Sequence, residues 1–348
     1  MKRCRWCVNG NGMLTFSFYF CLLLFLGFVL KITFFVSFRI PTDSMQPTLQ
    51  PGDNILVNKS IMGARIFNIW DAAEEKEVEI YRLPGIGKVK RNDVLVFHYP
   101  YPHKNDSLSM HLLKYYVKRC IALPSDTMGI RKGHYYIKGI NEPIGNIEAQ
   151  KRIEKLQKEN ARGIVVDTYP WDKYIDWTIQ NFGPLHVPAR GQMVVMDSTA
   201  VKLYRKLIEW EQKKPLTRDG NKVYLGDSLI QEYRFQENYY FMTGDNAANS
   251  QDSRYWGLLP EPFIVGKATT IWKSVNPATA LSSSVRRLAD GQHPYGTRGL
   301  YCHQQPPDRS AYPHCPVVRL TFRHPSDEGG SEDCVGRKRM NRWIRRNR

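Results

Sequence analysis

Apolar residues run without a charge from Met13 to Leu30 (MLTFSFYFCLLLFLGFVL), and after Lys31 the apolar character resumes as far as Phe38. An α-helix of that first run rises about 27 Å, close to the roughly 30 Å of a bilayer's hydrocarbon core, so a transmembrane helix is predicted within 13–38. Beyond it the pattern shifts to short β-prone runs separated by Gly, Pro and Asp. Pro41–Val57 opens as a proline-rich turn and closes on Ile55-Leu56-Val57. Arg91–Tyr99, Tyr115–Leu123, His134–Lys138, Tyr239–Thr243 and Phe263–Trp272 read as further strands. Repeated short strands with such punctuation predict a mainly β fold, a sandwich or barrel.

Two stretches break that rhythm. Ile147–Ala161 is charged and helix-favouring, and Thr199–Lys213 carries Leu203, Leu207, Ile208 and Trp210 at near-helical spacing. The predicted organisation is therefore a short N-terminus (1–12), an anchor (13–38), and a catalytic β domain in two parts (39–144 and 236–277). An α-containing insertion (145–235) separates those parts, and a basic tail (278–348) follows. The tail is rich in Arg, His, Pro and Gly, lacks a periodic apolar pattern, and is expected to be disordered.

The alternative for the apolar run is a cleaved leader, which is shorter and followed by small residues at its cut site. Here no alanine precedes Ala64, and bulky Phe, Ile and Val fill the distal end, so the segment is expected to stay as an anchor. Lys2, Arg3 and Arg5 lie ahead of it. The positive-inside rule then places the N-terminus in the cytoplasm and everything past about residue 39 across a single membrane crossing.

The formal charge of +17 invites a nucleic-acid reading. Residues 281–348 hold 13 Lys and Arg against 6 Asp and Glu, which leaves +10 spread thinly over the rest. A diffuse excess suits anionic lipid as well as DNA, so membrane lipid is an expected partner and nucleic acid is not. Of the seven cysteines, Cys4, Cys7, Cys21, Cys120, Cys302, Cys315 and Cys334, only Cys120 falls between residues 22 and 301, so the β region has no internal bridge. The spacing of Cys302-His303 and His314-Cys315 fits no common zinc pattern, and neither metal nor cofactor is expected.

Three blocks bear chemistry. Pro41-Thr42-Asp43-Ser44-Met45-Gln46-Pro47-Thr48 opens just past the anchor. Tyr115-Tyr116-Val117-Lys118-Arg119 sets a lysine in an otherwise apolar strand. Gly244-Asp245-Asn246 is followed by Asn249-Ser250, Asp252-Ser253-Arg254 and Tyr255-Trp256-Gly257. A lysine among buried neighbours loses its preference for the charged form. Its neutral amine can then take a proton from a serine hydroxyl, which is a poor nucleophile without such a base. Histidine-based signatures, the G-x-S-x-G elbow and H-E-x-x-H are missing.

These blocks resemble the type I signal peptidases, the bacterial leader peptidase family with a Ser/Lys dyad. PTDSMQPTL with PGDNILV is similar to the family's nucleophile box, and KRNDVLVFHYP to the strand after it. YYVKRCIALPSD resembles its lysine box and GDNAANSQDSRYWGLLP its last block, in the family's order. The resemblance implies a signal-peptidase-like β catalytic domain on the outer, periplasmic face of a bacterial inner membrane, acting on the signal peptides of secreted preproteins. It implies Ser44 as nucleophile, Lys118 as general base, and the Ser44 N–H with the Thr42 hydroxyl as oxyanion hole. Ser250 would bond the lysine amine, Asp252 and Arg254 would form a supporting ion pair, and Met45 and Val117 would line the pocket for small side chains. Ala247 stands where the family often has a basic residue; the insertion is long and the tail matches nothing, so neither inherits a function. Two other readings remain. One is a self-cleaving Ser-Lys repressor-type peptidase, opposed by the anchor. The other is an inactive membrane-tethered scaffold with a signal-peptidase-like domain, opposed by the intact Ser44, Lys118, Asp252 and Arg254.

Overall fold

In the computed structural model, runs of β-branched and aromatic residues pair into an antiparallel sheet of eight strands. The structure describes residues 10–63, 65–68, 80–101, 107–110, 112, 114–156, 163–274 and 286–287. Seven strands follow one path: β1 (Phe35–Arg39), β2 (Asn54–Asn58), β3 (Val94–His98), β4 (Tyr115–Ala122), β5 (Tyr239–Thr243), β6 (Leu259–Pro260) and β7 (Ile264–Lys273). Their order across the sheet is β1-β2-β7-β3-β4-β5-β6, and Arg286–Arg287 pairs on β7. Register shifts along β7, at Ile264/Gly266, Ala268/Thr270 and Ile271/Lys273, are bulges that bend the strand and raise its twist.

Both faces of this sheet are covered, which explains why every residue of β3 is buried. Side chains alternate along a strand. Val94 and Val96 accordingly join Met45, Leu49, Ile55 and Val57 on one face. Leu95 and Phe97 join Cys120, Phe241 and Phe263 on the other. Each fully buried Leu or Phe contributes about 1.5–3 kcal/mol.

Among the described residues, three helices of eight or more residues accompany the sheet: α1 (Gly10–Phe34), α2 (Ile147–Glu154) and α3 (Ser198–Gln212). The Asn146 side chain caps α2 by accepting from the Ala149 N–H. Asp197 caps α3 by accepting from the N–H groups of Thr199 and Ala200. The region expected as an insertion is continuous with the rest. Phe182–His186 pairs with Thr127–Arg131, which also pairs with His134–Ile137. Leu203, Tyr204, Leu207 and Ile208 of α3 enter the same cluster as Leu95 and Phe241.

The expected single anchor over 13–38 divides at Phe34. Phe35–Arg39 instead forms β1, paired through its whole length with β2. Its alternation of exposed and half-buried residues is a strand's period, and Val36 and Phe38 pack on the cluster beneath. Among the described residues, no helix is long and apolar enough to cross a membrane. The exposed stretch 12–28 of α1 spans about 26 Å at 1.5 Å per residue. The expectations for residues 1–9 and for the tail, apart from Arg286–Arg287, lie outside the described residues, as do Cys4, Cys7 and the Cys/His pairs near 302–315.

Candidate active site

Ser44 sits on the turn that links β1 to β2. The turn closes where the Ile40 N–H donates to the Asp53 carbonyl at 2.8 Å and the Gly52 N–H to the Ile40 carbonyl at 2.7 Å. Met45 and Leu49 anchor it by burial at 1% and 0% exposure. Ser44 itself stays half-buried and Thr42 exposed, so the hydroxyls face outward while their neighbours face the core.

Lys118 lies near the middle of β4, in register with Leu95 of β3. It therefore shares the sheet face of Leu95, Phe97 and Cys120, and only 2% of it is exposed. Its Nζ stands 2.5 Å from Ser44 Oγ. Burial lowers its pKa to about 8, with Asp252 opposing that shift and Arg254 adding to it. As ammonium, Lys118 donates to Ser44 Oγ; as a neutral amine, its lone pair accepts from the hydroxyl at the same separation. Thr42 Oγ1 lies 3.5 Å from Ser44 Oγ.

The block that follows β5 clasps this turn from the other side. The Asn246 N–H donates to the Ser44 carbonyl at 3.0 Å, and Asn246 Nδ2 donates to the Asp43 carbonyl at 3.3 Å. Asn249 Nδ2 donates to both carboxylate oxygens of Asp43, at 3.1 and 2.9 Å. Behind it, Asp252 and Arg254 form the expected ion pair, fully buried, with Nε to Oδ1 and an Nη to Oδ2 both at 2.8 Å. Asp252 Oδ2 also accepts from the Gly244 N–H at 2.9 Å, and Arg254 donates to the Ala247 carbonyl at 2.8 Å. The pair thus shapes the backbone from Gly244 to Ala247. Ala247 lends that backbone carbonyl and packs its methyl against Ala149 and Ile153 of α2.

Two expected contacts differ. Ser250 is buried beside the site, but its Oγ has no hydrogen-bond partner among the described residues, so the bond to the Lys118 amine is not made. Met45 lies inside the cluster under the turn instead of presenting a surface, and Val117 is half-buried at its edge. Two further features had no assigned role in the sequence. Gly244 is one: a β-carbon there would overlap Ser250 Oγ and stand 2.5 Å from the Ser44 carbonyl oxygen. The ion pair of Arg119 with Asp245 is the other, with Asp245 also accepting from Thr48 Oγ1 at 2.5 Å. The glycine was visible in the Gly244-Asp245-Asn246 text; the ion pair joins residues far apart in sequence. Among the described residues no group of three His, Cys, Asp or Glu side chains is placed to hold a metal ion.

A half-buried hydroxyl beside a buried amine is an arrangement in which a neutral amine can take the hydroxyl proton. The family described as signal peptidase, peptidase S26 matches residues 13–273, and the chain belongs to that family. A signal peptidase I of Buchnera aphidicola from Schizaphis graminum is 29% identical over 256 residues, covering 72% of each chain. The signal peptidase I of Aquifex aeolicus is 27% identical over 262 residues, covering 72% of this chain and 85% of its own. A crystal structure of a signal peptidase I from Enterococcus faecalis aligns over 53% of this chain and all of its own, with 21% identity and a TM-score of 0.26.

Proposed function

We propose that this protein is a membrane-bound serine endopeptidase that removes signal peptides from exported preproteins through an acyl-enzyme. The observation that carries this reading is the 2.5 Å approach of Lys118 Nζ to Ser44 Oγ, with the amine almost wholly buried. Neutral Lys118 takes the hydroxyl proton as Ser44 attacks the scissile carbonyl, and returns it to the leaving amine. The Ser44 N–H and the Thr42 hydroxyl receive the negative charge that develops on the carbonyl oxygen. Asp252 and Arg254 hold the wall against which the nucleophile turn rests. The substrate lies extended past Val117, with the small residues that precede the cut read by that edge.

Membrane attachment is part of the proposal. Side chains along α1 from Met13 to Phe28 are exposed and uncharged, and they need a lipid environment more than water. With Lys2, Arg3 and Arg5 ahead of it, α1 directs the sheet to the outer face of a bacterial inner membrane. Since β1 begins directly where α1 ends, Ser44 stays near that surface: the nine residues from Phe35 reach at most roughly 30 Å.

The test is cleavage of a preprotein by the full chain in detergent. Wild type releases the mature protein, while Ser44→Ala and Lys118→Met do not. Turnover by either variant at the wild-type rate overturns the dyad. A wild type that binds the preprotein without cutting it favours a tethered scaffold.

A further inference from the structure

Beside the nucleophile turn lies a cleft of about 240 Å³ lined by Gln46, Pro47, Gln50, Asn246 and Arg152. Gln46, Pro47 and Asn246 belong to the nucleophile block and the last block, and Gln50 lies just past the nucleophile block. Arg152 comes from α2, in the region expected as an insertion. Its presence follows from packing: Ala149 and Ile153 of α2 bury against Ala247, in the block that clasps Ser44. That contact fixes the helix on the active-site wall and leaves Arg152, one residue before Ile153, exposed at the cleft.

The chemistry of the cleft is that of a carboxylate receptor. Three side-chain amides and one guanidinium line it, with no acidic residue among them. In α2, Lys151 pairs with Glu148 at 2.9 Å and Glu154 with His134 at 3.1 Å, while Arg152 has no ion pair among the described residues. The bland role for Arg152 is to complement the helix dipole in the last turn of α2, which asks nothing of the cleft.

None of the half-buried apolar residues Val36, Phe38, Tyr115 and Val117, which pack on the cluster that holds Met45, lines the cleft; they suit the small apolar residues that precede a leader's cut site. The polar cleft suits the chain that follows the cut, which becomes the water-exposed N-terminus of the mature protein. We infer that Arg152 is a specificity-determining residue that favours preproteins carrying Asp or Glu within the first few residues after the cut. This rests on the signal-peptidase reading and deepens it. A guanidinium presents a planar fork of donors that a carboxylate accepts in two bonds.

The test uses the full chain in detergent and one preprotein in which each of the first five mature positions is in turn Glu, Gln or Lys. Wild type is expected to show kcat/KM about 5–10-fold higher for Glu than for Lys at one or two of these positions, with Gln between. Arg152→Gln flattens the order and Arg152→Glu reverses it, while all three proteins cut the Gln substrates alike. A dipole role alone shifts thermal unfolding without reordering the substrates. A wild type that cuts every variant at one rate, or an Arg152→Glu variant that keeps the wild-type order, overturns the proposal and leaves the peptidase reading standing. So does a dependence on Arg152 that tracks anionic lipid instead of substrate charge. If wild type cuts no substrate, both readings fall.

Discussion

Arg119 and Asp245 face each other across β4 and the end of β5 in a two-bonded ion pair, Nε to Oδ1 at 2.7 Å and an Nη to Oδ2 at 2.6 Å. Each is the neighbour of a site residue: Arg119 follows Lys118, and Asp245 follows Gly244. Because successive side chains leave a strand on opposite faces, Lys118 can point at Ser44 only while Arg119 points away, and the ion pair pins that choice. The side chain of Asp245 is 1% exposed and that of Arg119 12%. Removing one partner leaves a buried charge uncompensated, so Arg119→Ala is expected to cost about 3–5 kcal/mol. Denaturant unfolding followed by tryptophan fluorescence checks this; an unchanged midpoint counts against it.

Gly244 tests how tightly the wall fits the nucleophile. A β-carbon there forces Ser250 and the Ser44 carbonyl apart. A displacement near 1 Å at a catalytic atom costs about 100-fold in rate. Gly244→Ala is expected to lower kcat by about that factor with KM little changed. Adding Ser250→Gly removes the crowded hydroxyl and should restore part of the loss. Steady-state kinetics of the single and double variants decide it.

The depressed pKa of Lys118 sets two pH dependences of definite sign. The base works when neutral, so kcat/KM should rise tenfold per pH unit below about 8 and level off above it. Stability moves the same way for a separate reason. Between about 8 and 10.5 the unfolded chain holds the lysine proton and the folded chain does not, so stability attributable to this group rises with pH across that window. Lys118→Met should therefore be more stable than wild type at pH 7, by on the order of 2–3 kcal/mol, and lose that advantage above about pH 10.5. Unfolding curves at pH 7 and pH 10.5 provide the comparison.

The inserted region is tied to the sheet through Glu211 of α3. Its carboxylate accepts from Tyr239 Oη at 2.6 Å, from Tyr233 Oη at 2.7 Å and from the N–H groups of Gln236 and Glu237. Tyr239 begins β5, the strand that leads to Gly244. Glu211→Leu strands these donors, at a cost of about 2–4 kcal/mol. Loss of helix α3 and of the sheet in one unfolding transition, not two, is the expected signature of their shared core.

Much of the site was legible before any coordinates. Ser44, Thr42, Lys118, Asp252 and Arg254 stand in short blocks that resemble the signal peptidases in the family's order, and that resemblance singled them out; the strands around them carry dense Val, Ile, Tyr and Phe. Residues 94–98, 239–243 and most of 264–273 fall where that pattern put them. β1 was hidden because its Phe-Val-Ser-Phe continues an apolar run, and period-2 alternation over five residues is faint after a helix. Arg119–Asp245 was hidden because strand register, not sequence spacing, brings the two together. The place of Ser250 and the burial of Met45 depend on packing of the turn against β5 and β2, which no local pattern encodes. Residues 145–235 looked separable because their charged helices differ in composition from the strands, yet their apolar faces complete the same core.

Lys118 gives up its proton well below the range of an ordinary lysine, and the ionisation of its side chain can be observed directly. In protein labelled with ¹⁵N and ¹³C at lysine, the Lys118 resonance, assigned by its loss in Lys118→Met, can be followed from pH 6 to 11 in the Ser44→Ala background as well as in wild type. The account predicts a midpoint near 8 in wild type, well apart from the exposed lysines near 10.4. A midpoint at 10 or above would leave the amine charged when the enzyme must act and would contradict it.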